Sequence, residues 1–160
     1  MKLYMKQKVF SFRDKFTIKD EYGNDRYYAQ GELFSWGHKL HICNAYNQEI
    51  AFVKQKILTW LPKFEVYLDG RLVTEVKKDF TFFKPKYTLT GLSWVVSGDY
   101  WAHNYTISDN GYPIVTISKA WFSWGDSYAI DIRDGVDERL ANAVVLAIDC
   151  VLEAAQRSSN

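Results

Sequence analysis

Leu140-Ala141-Asn142-Ala143-Val144-Val145-Leu146-Ala147-Ile148-Asp149-Cys150-Val151-Leu152 decides the fold. Apolar residues occupy nearly every side of this run, whereas a surface helix shows a single apolar stripe. A helix of this kind must be enclosed by protein or lipid. The run is shorter than the ~20 apolar residues a bilayer span needs, and Asn142 and Asp149 interrupt it, so enclosure by protein is expected. Asp134 or Asp137 can cap its start, Glu138 sits in the first turn and Arg157 near the carbonyl end, each sign matching the helix dipole. Asn142, Asp149, Glu153 and Gln156 fall on one stripe, expected to face a mouth or a polar seam of the surrounding shell.

The shell has to come from the preceding residues. Ten Phe, eleven Tyr and six Trp, many beside β-branched residues, favour strands. Phe10-Ser11-Phe12 followed by Phe16-Thr17-Ile18 sets a pattern that returns as Phe34-Ser35-Trp36 with Leu40-His41-Ile42. It returns again as Leu58-Thr59-Trp60 with Phe64-Glu65-Val66. These copies start at 10, 34 and 58, a step of 24 both times. A fourth starts at Phe80 and reaches Tyr87-Thr88-Leu89, a degenerate fifth ends at Tyr105-Thr106-Ile107, and a sixth runs from Phe122-Ser123-Trp124-Gly125 to Tyr128-Ala129-Ile130. Recurrence near this period marks a repeated hairpin.

Turn chemistry follows each unit at Tyr22-Gly23-Asn24, Asn44 to Asn47, Asp69-Gly70, Thr90-Gly91 and Asp109-Asn110-Gly111, while Asp134-Gly135 leads into the helix. Strands are expected near 3–9, 15–19, 26–33, 39–43, 49–57, 63–68, 71–79, 86–90, 92–97, 104–108, 113–120 and 127–132. Residues two apart share a strand face, so Phe16/Ile18, Leu40/Ile42, Phe64/Val66, Tyr87/Leu89, Tyr105/Ile107 and Tyr128/Ile130 form an inward ring. A sheet this long removes its edges by closing, and a barrel of about twelve strands is too wide for side chains alone to fill. The expected fold is therefore mainly β: a single domain over residues 1–160, an antiparallel barrel of about twelve strands enclosing the hydrophobic C-terminal helix.

The balance of 20 basic against 19 acidic residues gives no global field for nucleic acid. Met1 to Lys6 lacks the apolar core of a secretory signal, and Cys43 and Cys150 stand in unrelated settings, so a cytoplasmic protein with no transmembrane span is expected.

Several segments resemble the LURP-one-related family, whose fold is similar to the tubby C-terminal domain and the phospholipid scramblases. They are Phe52 to Leu58 running on to Lys63-Phe64-Glu65-Val66-Tyr67, Phe82-Phe83-Lys84-Pro85-Lys86-Tyr87, Gly98 to His103, Ser118-Lys119 with Trp121 to Asp126, and Ala147 to Val151. The resemblance implies a twelve-stranded, tubby-like barrel around a buried C-terminal helix. For function it implies much less: family members include plant proteins linked to defence and bacterial proteins of unknown role, while the tubby relatives bind phosphoinositide head groups and scramblases act at membranes. The Cys-rich and Pro-rich segments and the C-terminal anchor of scramblases have no counterpart here, so lipid scrambling is not expected. No stretch matches the tubby phosphoinositide site, so no site residue is carried over.

Read from the residues alone, three constellations carry chemistry. Lys54 and Lys56, with Lys77 and Lys78 on a later strand and Lys84 and Lys86 beyond it, form the densest cationic region. Such a cluster can hold an anionic head group, or it can be a solvated face that blunts strand edges. His103 and Asp149 are the candidates for a pocket at the barrel mouth serving a small-molecule carrier or an enzyme. The alternative is that His103 satisfies a tight corner and Asp149 accepts hydrogen bonds that fix the helix. His41 and Cys43 share an outward face, but two ligands make no metal site. No Gly-x-Ser-x-Gly, His-Glu-x-x-His or phosphate-cradling glycine loop occurs, so no catalytic residue, metal or cofactor is assigned. The expected role is a non-enzymatic binding or scaffold module, recognising phospholipid head groups or a protein partner at the membrane surface.

Overall fold

The computed structural model describes residues 1–6, 15–32, 36–122 and 125–158, without the side chains of residues 6, 16, 121, 122, 125 and 126. Twelve strands precede one helix: β1 Lys2–Lys6, β2 Lys15–Asp20, β3 Asp25–Gly31, β4 Lys39–Asn44, β5 Glu49–Gln55, β6 Lys63–Leu68, β7 Arg71–Lys78, β8 Tyr87–Thr90, β9 Trp94–Asp99, β10 Asn104–Asp109, β11 Tyr112–Phe122, β12 Gly125–Ile132 and α1 Glu138–Ser158. Each strand pairs antiparallel with its neighbour in the chain, and β1 closes the ring on β12 through Leu3↔Ile130 and its flanking pairs. Closure leaves no edge for a second chain to extend.

The inward slots are occupied as the repeat requires. Ile18, Leu40, Ile42, Phe64, Val66, Tyr87, Leu89, Tyr105, Ile107, Tyr128 and Ile130 are all buried. Phe16's side chain and the leading aromatics Phe10, Phe12, Phe34, Phe122 and Trp124 lie outside the described side chains. The pairing carries a device that the strand pattern does not announce. Register shifts follow Ile18, Ile42, Val66 and Ile107, in each case directly after the second inward slot of a unit. A bulge bends its strand and sharpens the local twist, and repeating it at the same slot curls the sheet toward closure. Turn chemistry repeats too. Asp20 Oδ1 accepts from the backbone of Tyr22 and Asn24, both at 2.9 Å, and Asn44 Oδ1 accepts from Tyr46 and Gln48, both at 3.0 Å.

The helix runs through the lumen, closest to β5, β6 and β7 with β12 across the ring. Ala141 to Leu152 are buried without interruption. On the β8–β10 flank the space is filled by Tyr87, Tyr100 and Tyr105, whose rings pack at 4.6 and 5.6 Å between centroids. Of the two caps that the sequence offers, Asp137 is used: its Oδ1 accepts from Arg139 N at 2.9 Å and Leu140 N at 3.4 Å. Asp134 instead stands 3.9 Å from the N-terminal amine. Glu138 accepts from Arg26 and the Tyr27 hydroxyl, and Arg139 reaches Asp69 at 3.0 Å, so the helix start is tied to two hairpins. The polar stripe is not uniformly at a mouth. Asn142 is fully buried with both amide atoms unpartnered among the described residues, Glu153 is half-buried, and Gln156 is exposed.

The up-and-down order separates the connections by end. The tight turns at 21–24, 45–48, 69–70, 91–93 and 110–111 share one end with the helix start. Residues 32 and 36–38, 56–62, 79–86 and 100–103 lie between strands at the other end, where the helix finishes.

Candidate functional site

The second end carries the site. Its connections are laced side by side: Gln55 N donates to His38 O at 2.7 Å, Lys56 N to Lys63 O at 2.9 Å, and Lys78 N to Pro62 O at 3.1 Å. Gly37 lies so close to the 56–62 loop that a Cβ there would meet Ile57 Cγ2 at 2.8 Å. On this frame Trp36, Ile57, Leu58, Trp60, Phe80, Phe82 and Phe83 turn outward, with Leu58, Trp60 and Phe83 at 100%, 97% and 98% exposure. Phe80 and Phe82 meet edge to face at 5.2 Å. Single exposed apolar side chains need no explanation, but seven of them on three neighbouring loops mark a contact surface. Leu58 also holds φ at +60°, a left-handed conformation that bulky residues avoid. A strained, fully solvated leucine at a loop tip is not there for the stability of the free protein.

The six lysines singled out in the sequence do not form one patch. Lys56 sits just beyond β5 and pairs with Glu75 at 3.1 Å, with Glu65 4.0 Å away. Lys63 takes the other oxygen of Glu75 at 3.5 Å. Lys54 faces Glu65 across the β5–β6 pair and lines a separate cavity of about 380 Å³ that also contains Glu49 and Asp69. Lys84 and Lys86 lie on the connection between β7 and β8. Lys77, Lys78, Lys84 and Lys86 thus stay together beside the apolar rim, and Lys54 and Lys56 fall into a checkerboard with carboxylates. Cross-strand register, which places Glu65 and Glu75 beside one another, causes the split.

Asp149 and His103 do come together. Tyr128 donates to Asp149 Oδ2 at 2.5 Å, the Met5 sulfur lies 3.7 Å from the same hydroxyl, and His103 stacks on the Tyr128 ring at 4.6 Å. His103 Nε2 stands 3.7 Å from Asp149 Oδ1. Burial pushes the Asp149 carboxyl up to about 7 against the opposing pull of the Tyr128 bond, while burial and then the Lys119 charge hold His103 below its usual value. At 3.7 Å the two groups are beyond hydrogen-bond distance, and burial disfavours the charged form of each. His103 occupies the corner before β10 with φ at +49°, and its Nδ1, Asp149 Oδ1 and the Tyr105 hydroxyl are buried without partners among the described residues. Asp149 does accept a hydrogen bond, from Tyr128, but only one of its two oxygens is satisfied among the described residues. His103 meets the corner expectation in its backbone and not in its ring.

His41 bridges Glu49 at 2.5 Å and Glu32 at 2.8 Å on the outer face. Burial pulls its pKa down, but these two carboxylate contacts outweigh that and raise it. Among the described residues no group of three or more His, Cys, Asp or Glu is placed to hold a metal ion.

The rim is what sequence reasoning missed. The aromatic slot was legible as a repeated feature of the hairpin unit. Its position in the connections, outside the inward slots already filled, was the available signal.

A family profile described as LURP-one-related matches residues 1–149. The chain is 36% identical over 152 residues, 95% of its own length and 94% of the relative's, to the Bacillus subtilis (strain 168) protein called "Uncharacterized protein YxjI". The X-ray structure of an Arabidopsis thaliana protein superposes with a TM-score of 0.66 at 15% identity, covering 93% of this chain and 90% of that one, which extends the likeness of fold to a distant sequence. A closed barrel around a terminal helix, a profile match over nearly the whole chain and a bacterial relative of almost equal extent lead to one assignment: the chain belongs to the LURP-one-related family.

Proposed function

We propose that this protein is a non-catalytic binding module that seats the loop end of its barrel on the surface of a lipid bilayer. The observation that carries this reading is the gathering of exposed Trp36, Ile57, Leu58, Trp60, Phe80, Phe82 and Phe83 on neighbouring, laced loops. Burying one large apolar side chain is worth about 1.5–3 kcal/mol, so a few of these at the acyl boundary supply about what a single lipid anchor does. Lysines behind the rim add the charge that a second signal requires. Contact by loops fits two further observations. No helix among the described residues is long and apolar enough to cross a membrane. Away from the loop end, the outer face of β4–β7 carries His41, Lys54, Glu65 and Glu75, a charged wall unsuited to lipid. Both thiols are free, Cys150 buried and Cys43 half-buried, which suits the reducing cytoplasm as the side from which it acts.

Co-sedimentation with phosphatidylcholine vesicles tests this. The wild type is expected to pellet and Trp60→Ser/Phe83→Ser to lose at least tenfold in partitioning with an unchanged melting temperature. Leu72→Ser, which removes an exposed leucine next to the 69–70 turn at the far end, should bind as the wild type does. A wild type that stays in the supernatant, leaving the rim to a protein partner, would overturn the proposal.

A second reading, a carrier or enzyme built on Asp149 and His103, draws on the unpartnered atoms of that pair and of Tyr105. A small polar molecule released from purified protein on denaturation, and absent from Asp149→Asn, would favour it.

A further inference from the structure

The rim explains attraction to any bilayer; the charges behind it are arranged for something narrower. A groove of about 620 Å³ opens between the 56–62 loop and the end of β7, within the size range of small-ligand sites. Trp60, Leu61 and Phe80 form its apolar side, and Lys63, Lys77 and Lys78 its cationic side. Glu75 is the carboxylate nearest to Lys63, and one of its oxygens is already held by Lys56. Lys77 and Lys78 have no carboxylate partner among the described residues. Asp79, the acid in the groove, accepts from the Thr88 hydroxyl at 2.6 Å. Lys84 and Lys86, both exposed, follow on the next connection. Positive charge is therefore in excess where the groove meets the rim.

We infer that this groove takes the phosphate of an anionic bilayer lipid, with Lys77 and Lys78 as its principal partners and the upper acyl chain against Trp60 and Phe80. The inference rests on the membrane-docking reading and adds lipid selection to it. A bilayer lipid is the occupant because the two sides of the groove ask for different chemistry on one molecule. A free anion would use only the lysines and leave the aromatic side of the groove bare. A lipid brings its phosphate to the ammonium groups and its chain to the aromatic wall, and Trp60 belongs to both rim and groove. Lysine stems can lie along that wall while their heads reach the phosphate plane.

The test compares phosphatidylcholine vesicles with vesicles carrying a phosphatidylglycerol fraction, using wild type, Lys77→Gln/Lys78→Gln and the charge control Lys2→Gln/Arg133→Gln. Wild type should bind the anionic vesicles more tightly, and less so as salt rises. The Lys77/Lys78 variant should lose about thirtyfold on anionic vesicles, each charge near an anionic surface being worth roughly fivefold, and stay within twofold on phosphatidylcholine. The control should match wild type on both, and melting temperatures verify folding. Equal loss in the control, or unchanged anionic binding in the Lys77/Lys78 variant, would overturn the inference while leaving rim docking intact. Loss of phosphatidylcholine binding by wild type itself would instead strike the parent proposal. Inorganic phosphate should displace the protein no better than sodium chloride of equal ionic strength; stronger displacement would assign the groove to soluble phosphate and refute the lipid.

Discussion

Replacing Asp149 by Asn should make the protein progressively more stable than wild type as pH rises. Asp149 lies in the lumen with its pKa pushed from 3.8 to about 7 by burial, so between those values the folded state holds a proton that the unfolded chain has released. Stability from this group is thus fully present below about pH 4 and is lost as pH climbs through 7. At about 1.36 kcal/mol per pH unit the loss approaches roughly 4 kcal/mol, of which about 2–3 kcal/mol develops between pH 5 and pH 8. Asparagine keeps the shape and still offers an oxygen to the Tyr128 hydroxyl, but it has nothing to ionise. Urea denaturation of both proteins at pH 5 and pH 8 provides the assay. The difference between them cancels other titrating groups, including Glu153, which burial also raises, and His103, whose lowered value acts in the opposite direction. The advantage of Asp149→Asn should grow by about 2–3 kcal/mol, or about 5–10 °C in melting temperature for a chain of this size. Parallel profiles would mean that the carboxylate is ionised at neutral pH in the folded protein, refuting the reasoning from burial.

Tyr128→Phe removes the one hydroxyl bonded to Asp149, and should cost about 1–3 kcal/mol at pH 8, where the stranded carboxyl must ionise, but less at pH 5; equal costs would show that the bond does not depend on charge. Ile148→Ala cuts into the fully buried helix core and should lower the urea midpoint by the equivalent of about 2–5 kcal/mol, whereas a loss under about 1 kcal/mol would mean that the barrel can collapse around the gap. Gly98→Ala places a Cβ 2.7 Å from both Asn104 O and Tyr105 Cα at a φ of +127°, and should destabilise far more than Gly23→Ala, where φ is +83° and no atom lies within 4 Å; similar melting temperatures would show slack between β9 and β10.

What could be read from the chain, and what could not, follows the range of the interactions. The helix announced itself because Val144, Val145, Leu146 and Ile148 leave no face for water. The inward slots did so because a strand alternates regardless of its partner. Burial of Leu40/Ile42 and Phe64/Val66 needed no knowledge of pairing. The bulges after Ile18, Ile42, Val66 and Ile107 answer to the curvature of the whole ring, which no single hairpin encodes. Lys56 looked like part of a cationic cluster because its partner Glu75 is two strands away in sequence and becomes its neighbour only once β5, β6 and β7 are in register. Asp149 was recognisable as a costly buried acid. That His103 would stand over it depended on where the 100–103 corner meets the helix's far end. The rim required both levels at once: the recurrent aromatic slot is local, but its gathering at one mouth comes from the alternating course of the barrel.

The most direct test of the central claim attaches a polarity-sensitive fluorophore to Leu58→Cys at the loop tip or, separately, to Tyr112→Cys at the opposite end, both in a Cys43→Ser background with Cys150 left buried. On addition of anionic vesicles the label at 58 should shift to the blue, as it does on leaving water for the acyl boundary, while the label at 112 keeps its spectrum. A label at 58 that stays unshifted, or two labels that shift alike, would contradict the account.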